Sequence, residues 1–419
     1  MSGRLAKSLA MAGTALMMLG LAVPAAQASP GDADIYWQML CTVDHFGPND
    51  PIVFPDEPGL SHMHSFYGNT STNADSTAAS LMAAPSSCGR NMGTSDHSAY
   101  WIPSLYKKNA DGSFTLVKDP NQLIFVYYRR PGGSSGPKVQ PFPLGLAMVA
   151  GNARATSPQS LRVVDFDCSG GPEYPSIPQC PNGYSTALAG DVVFPSCWNG
   201  TQLDSPDHMS NMAYANPDTG ACPADHPVSL PEVDVSIYYN VAGGAQQYEL
   251  SSQLASPSHS PYTMHGDFFA AWDPQVQNAL VAACLNASQD CLDVNREGGN
   301  LIAGDNSQIT IKLADYPATS QTVAPTPITP TPTKSAHVRK AATAHAKPSA
   351  RAIMPATPAT TRSAASTPST RATKPSLALS GMGQVGLASG AIGLSLLAFA
   401  VYRLRRRRRV QHDRLQRWD

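Results

Sequence analysis

Short runs of β-branched and aromatic residues, separated by Pro, Gly and Asn, recur through residues 29–316. Residues 123–128, 161–166, 191–194 and 233–239 are such runs, and each reads as a strand. In the last, Val233, Val235 and Ile237 alternate with Asp234, Ser236 and Tyr238, the pattern of a strand with one buried and one solvated face. Helical periodicity is convincing in one place. After Asp273, Pro274 takes the first helical position and Val276, Leu280, Val281 and Cys284 follow at helical spacing, which predicts a helix over 274–285. Many short strands, few helices and long Pro-rich connections predict a mostly β domain: a disulfide-stapled β-sandwich with long loops and few helices.

The ends of the chain are patterned differently. Arg4 and Lys7 precede an apolar run over 9–23 and the small-residue step Ala26-Gln27-Ala28, which predicts an export leader over 1–28, cleaved before Ser29. Residues 385–402 are an uncharged run that, with 377–384, is long enough for a membrane helix. Arg403 and the arginines at 405–409 follow at once, so 403–419 is expected to be a basic cytoplasmic tail behind a transmembrane or sorting segment at 377–402. Just ahead of that run, Leu377-Ala378-Leu379-Ser380-Gly381 resembles the Leu-Ala-x-Thr-Gly signal by which actinobacterial sortases attach proteins to peptidoglycan, with Ser380 in place of threonine. The resemblance implies a sortase substrate, and a plain single-pass anchor is the alternative. Between body and anchor, residues 317–376 hold ten prolines and thirteen threonines, a linker that favours extended polyproline II. At ~3.1 Å per residue it spans at most about 190 Å.

Charge divides along the same boundaries. Residues 29–316 carry 11 basic and 28 acidic groups, a net of −17, whereas 317–412 contain no acid at all. An acidic body lacks the positive footprint that phosphate contacts need, which excludes nucleic acid as its partner. All eight cysteines, Cys41, Cys88, Cys168, Cys180, Cys197, Cys222, Cys284 and Cys291, lie in the body. An even number in an exported domain predicts four disulfides. Consecutive pairing is expected, since Cys168 to Cys180 and Cys284 to Cys291 close only short loops. A structural zinc site is the weaker alternative, because no CxxC spacing occurs.

Candidate chemistry gathers in four polar segments that contain histidine. His62 and His64, placed on a strand, project to one face and offer two imidazoles to a single metal ion or substrate. Asp204, Asp207 and His208 fall within five residues of a proline-interrupted loop, Asp225-His226 follows, and His265 and Asp267 precede Trp272. Histidine with carboxylate is the minimum apparatus of general acid-base catalysis, and equally the ligand set of thiolate-free transition-metal sites. The chain has no His-Glu-x-x-His zinc helix and no Gly-x-x-x-x-Gly-Lys phosphate loop.

The same segments carry a family resemblance. His62-Met63-His64-Ser65-Phe66-Tyr67-Gly68-Asn69, Trp101-Ile102-Pro103-Ser104-Leu105-Tyr106, Cys197-Trp198-Asn199-Gly200 running into residues 204–210, Gly220-Ala221-Cys222-Pro223 with His226-Pro227-Val228, and His265-Gly266-Asp267-Phe268 stand in the order of the secreted bacterial and fungal domain of unknown function nineteen ninety-six. In fungi such domains are often found beside carbohydrate-binding modules, so the resemblance implies cell-wall polysaccharide as a target.

Three functions are open on this reading. The first is a surface-anchored enzyme, a hydrolase or lyase of cell-wall polysaccharide or peptidoglycan. In it His64 or His208 is the base, Asp204 or Asp207 orients it, Tyr67 or His265 is the acid, and exposed Trp101, Trp198 and Trp272 stack on sugars. The second is a metal-binding domain in which His62, His64, His208 and His265, completed by Asp204 or Asp267, hold a divalent transition metal. The third is a non-catalytic glycan-binding or adhesive module on a stalk. All three place the body on the extracellular face.

Overall fold

The computed structural model describes residues 34–89, 95–181, 187–304 and 307–318. The stretches read as leader, membrane or sorting segment and basic tail, with all but the first two residues of the expected linker, lie outside the described residues. Among the described residues no helix is long and apolar enough to cross a membrane.

Twelve strands form one hydrogen-bonded sheet. In chain order they are β1 (Tyr36–Gly47), β2 (His64–Gly68), β3 (Ala99–Pro103), β4 (Leu123–Arg129), β5 (Ala147–Gly151), β6 (Val164–Cys168), β7 (Leu188–Val193), β8 (Glu232–Tyr238), β9 (His265–Phe269), β10 (Leu292–Glu297), β11 (Asn300–Ala303) and β12 (Ile309–Lys312). The long strand β1 belongs to two layers. From Tyr36 to Thr42 it pairs with β4, beyond which come β8, β7 and β6. From Val43 to Gly47, with a bulge between Val43 and His45, it pairs with β2, and the order continues β3, β9, β5. A bulge turns a strand in this way because one extra residue sharpens its twist.

The two layers face each other across the main core. Tyr67, Tyr100, Ile102, Met148 and Phe268 of the second layer pack with Trp37, Val126, Val192 and Val235 of the first, and the Phe194 and Phe268 ring centroids are 6.2 Å apart. This is the expected mostly β, sandwich-like architecture, and the eight cysteines pair consecutively as Cys41–Cys88, Cys168–Cys180, Cys197–Cys222 and Cys284–Cys291. Side chains alternate along each strand. The second layer therefore turns a second set outward, and Phe66, Ala99, Trp101 and Ala147 form a smaller apolar cluster there with Ile52, Leu81 and Ala271.

Expected elements differ in detail. The run at 161–166 enters the sheet only at Val164, because Val163 and Val164 first donate to Ser160 O in a turn. Strand β8 is buried on both faces: Asp234 accepts from Arg129 Nε at 3.1 Å, and the Ser236 hydroxyl donates to Asp191. The helix begins as expected, with Asp273 capping the Gln275 and Val276 amides and Pro274 following it. It is α-helical over Pro274–Leu280 and widens to a π-turn over Val281–Leu285. Trp101, Trp198 and Trp272 are at most 3% exposed, which removes them as sugar-stacking surfaces. Their indoles supply packing instead, and those of Trp198 and Trp272 donate to Gln202 O and Tyr128 Oη.

Candidate metal centre

The outward face of the second layer positions the site. His64 opens β2 and His265 opens β9, while β3 runs between them. Register places Phe66, Trp101 and Asp267 side by side across β2, β3 and β9. His64 lies two residues from Phe66, and His265 two residues from Asp267, so all four share this face. Gly151 of β5 lies opposite His265 with φ +77°. A Cβ there would stand 2.6 Å from Met264 O and 2.9 Å from His265 Cα, so only glycine lets β5 close on this histidine.

His62, just ahead of β2, brings a third ring. The centroids of His62 and His64 are 4.2 Å apart, those of His62 and His265 5.0 Å, and those of His64 and His265 5.8 Å. Hydrogen bonds fix the tautomer of each. His64 Nδ1 lies 3.0 Å from Asn49 O and His265 Nδ1 2.9 Å from Thr263 O. A carbonyl only accepts, so both Nδ1 atoms carry hydrogen. His62 Nδ1 lies 3.0 Å from Ser251 Oγ, whose own hydroxyl donates to Met63 O. With that single proton committed, Ser251 accepts, and His62 is also an Nδ1–H tautomer. Three Nε2 lone pairs are left, and one nitrogen of each ring lies within 4.8 Å of the others.

Two carboxylates adjoin them. Asp267 is 1% exposed, and neither oxygen receives a hydrogen bond among the described residues. Asp50, in the loop that covers this face, is equally buried, and its Oδ1 accepts from the Ile52 and Val53 amides at 3.0 Å. Asp50, His64 and Asp267 form a second set within 4.8 Å. Burial sets the ionisation of all five. It pushes His62 down to about 4 and His265 down to about 3, and holds His64 well below its ordinary value. It pushes Asp50 up to about 6 and Asp267 well up, with Asp50 beside it. The imidazoles are thus neutral, as metal ligands must be.

The other expected residues separate into distinct roles. Tyr67 points from β2 into the core between the layers, across the sheet from His64, so it is not placed to act as acid there. Asp207 accepts from Ser205 Oγ, Ser210 Oγ and the Met209 and Ser210 amides, and these hold its carboxyl well below the ordinary range. It builds the loop and is not free to orient a base. Asp204 Oδ2 holds His208 Nδ1 at 2.9 Å, a half-exposed dyad outside the three-histidine set. His226 Nε2 bonds Ser210 O at 3.0 Å and supports the same loop. Asp165, Asp167 and Asp191 also converge, on β6 and β7, where Ser236 and the Gly170 amide donate to them. Asp50 was not singled out by the sequence. It stands in Pro48-Asn49-Asp50-Pro51, where an aspartate between prolines reads as turn chemistry.

No curated protein and no solved structure matches the chain. Residues 50–272, just over half of its length and a span that contains all five of these side chains, match DUF1996, a domain of unknown function, and the chain belongs to that family.

Proposed function

We propose that the domain is an extracellular transition-metal centre in which His62, His64 and His265 supply three nitrogens and Asp267 a carboxylate oxygen to one divalent ion. The observation that carries this reading is a buried cluster of unpartnered groups: three imidazoles whose Nδ1 protons are bonded elsewhere, and Asp267, neither of whose oxygens has a hydrogen-bond partner among the described residues and which burial disfavours as a carboxylate unless a cation is beside it. Such a group is costly to bury unless something positive lies within it. One nitrogen from each of His62, His64 and His265 lies within 4.8 Å of the others, and Asp267 lies within 4.8 Å of His64 in an overlapping set with Asp50, so His64 is the group common to both sets. Asp267 is preferred to Asp50 as ligand because Asp50 Oδ1 is already occupied by two amides. The backbone carbonyls behind His64 and His265, and Ser251 behind His62, are the outer partners that orient metal-binding imidazoles.

An ion so held supplies a Lewis acid for oxygen ligands. The substrate class we propose is a neutral, hydroxyl-rich polymer of the cell wall. The body's net charge of −17 disfavours a polyanion, and the leader pattern with four disulfides supports work outside the cell. The test is elemental analysis of the intact protein purified without chelator. About one equivalent of zinc, copper, manganese or iron is expected in the parent, and little in a folded His62→Ala, His64→Ala variant. A parent that takes up none of these metals when they are supplied would overturn the reading and favour a non-catalytic glycan-binding module.

A further inference from the structure

His64 joins two overlapping sets of side chains, one with His62 and His265 and the other with Asp50 and Asp267, each drawn within 4.8 Å. The loop that brings Asp50 to this place also orients the shared histidine. Asn49 O accepts from His64 Nδ1 at 3.0 Å, and the next residue, Asp50, is fixed by the Ile52 and Val53 amides, both donating to its Oδ1 at 3.0 Å. Four of the five side chains are at most 4% exposed. Among the described residues neither carboxylate is paired with a lysine or arginine. His208, whose charge reaches Asp50 from outside the group, is itself partly exposed and held by Asp204 at 2.9 Å. The charge beside an ion in this place is therefore that of Asp50 and Asp267.

An ion buried away from water needs opposite charge beside it. The three imidazoles bring none. Asp267 alone matches a monovalent ion, whereas Asp267 and Asp50 together match a divalent one. We propose that Asp50 is a specificity-determining residue of the centre: its carboxylate, in the same 4.8 Å set as Asp267, makes the loaded site neutral for a divalent ion and biases it toward zinc, manganese or iron(II) and against copper(I) and silver(I). Imidazoles alone do not make that distinction, since they suit copper as well as zinc and iron. The inference rests on the metal-centre reading, and its test separates the two. A role for Asp50 confined to the turn would leave the balance between ions unchanged.

The experiment measures two affinities of the intact, chelator-treated protein in chloride-free buffer. Zinc affinity is read by competition against a zinc-sensitive dye, and silver(I) affinity by the silver nitrate that displaces the bound zinc. Asp50→Asn is the informative variant, because asparagine keeps a side-chain oxygen for the Ile52 and Val53 amides and removes only the charge. It is expected to bind zinc at least about 10-fold more weakly than the parent, with silver(I) affinity unchanged or higher. If Asp50→Asn does not fold, Asp50→Ser, whose hydroxyl can accept from the same amides, carries the same comparison. Zinc affinity undiminished in the variant, or zinc and silver(I) affinities that fall alike, would overturn the role of Asp50 and leave the metal centre standing. A parent that takes up no zinc overturns the centre itself.

Discussion

Asp267 is where stability and function oppose each other. Its carboxyl is fully buried, burial drives it toward the neutral form, and its oxygens find no donor among the described residues. A buried polar group without partners costs about 1–3 kcal/mol. Asp267→Asn replaces this carboxyl by an amide whose two hydrogens can be donated toward the imidazole acceptors. In chelator-treated protein this variant is expected to be more stable than the parent by about that amount, while losing the stabilisation that added zinc gives the parent. Urea unfolding of both proteins with and without zinc checks it, and a variant that is less stable without zinc would count against an unpartnered carboxyl. At this scale the sequence was partly informative. His62, His64, His265 and Asp267 were legible because histidine in short polar segments stands out. Asp50 was not, since its turn hydrogen bonds and its approach to Asp267 are made by a loop folding back over the sheet.

Among the elements, alternation decides which candidates meet. His64 and Tyr67 are three residues apart on β2 and so face opposite sides, which divides two residues that sequence proximity had joined. Strand existence was legible for 123–128 and 233–239, but that both faces of β8 are buried was not. Asp234 and Ser236 read as solvated until Arg129 and Asp191 arrive from neighbouring strands. Between the layers, Tyr100 of β3 and Tyr128 of β4 meet at their hydroxyls and both reach the Asp96 carboxylate, with Trp272 donating to Tyr128. Burial pushes Asp96 up to about 6 from 3.8, against the hydrogen bonds from Tyr100 and Ser98. The folded chain thus keeps a proton that the unfolded chain releases. The resulting stability is fully present below pH 3.8 and is lost as pH rises through about 6. Relative to Asp96→Asn, the parent is expected to lose on the order of 1 kcal/mol between pH 5 and 7.5. Parallel urea midpoints for the two proteins across that range would show that Asp96 does not titrate in this way.

At the scale of the whole molecule, the disulfides connect stability to the centre. The even cysteine count and short loops made consecutive pairing legible, but not what each loop encloses. Cys284–Cys291 spans 7 residues and ties the π-turn to the start of β10. Cys41–Cys88 spans 47 residues, and within that loop lie Asn49, Asp50, His62 and His64, everything the centre takes from the N-terminal side. His265 and Asp267 come from β9, outside the loop. The bond therefore holds one half of the site against the other, with Cys41 in the strand that joins the two layers. On chain-entropy grounds, removing the longer bridge costs about 4 kcal/mol and removing the shorter about 2 kcal/mol. Metal affinity separates them further. A Cys41→Ala, Cys88→Ala variant is expected to bind zinc at least about 10-fold more weakly than the parent, because misplaced ligands and outer partners cost that much. A Cys284→Ala, Cys291→Ala variant is expected to bind zinc as the parent does, despite its lower stability. Competition titrations against a zinc-sensitive dye, run well below the unfolding temperature of each variant, distinguish the cases. Equal losses in both variants would mean that the long loop does not position the ligands, and that the sheet alone organises the centre.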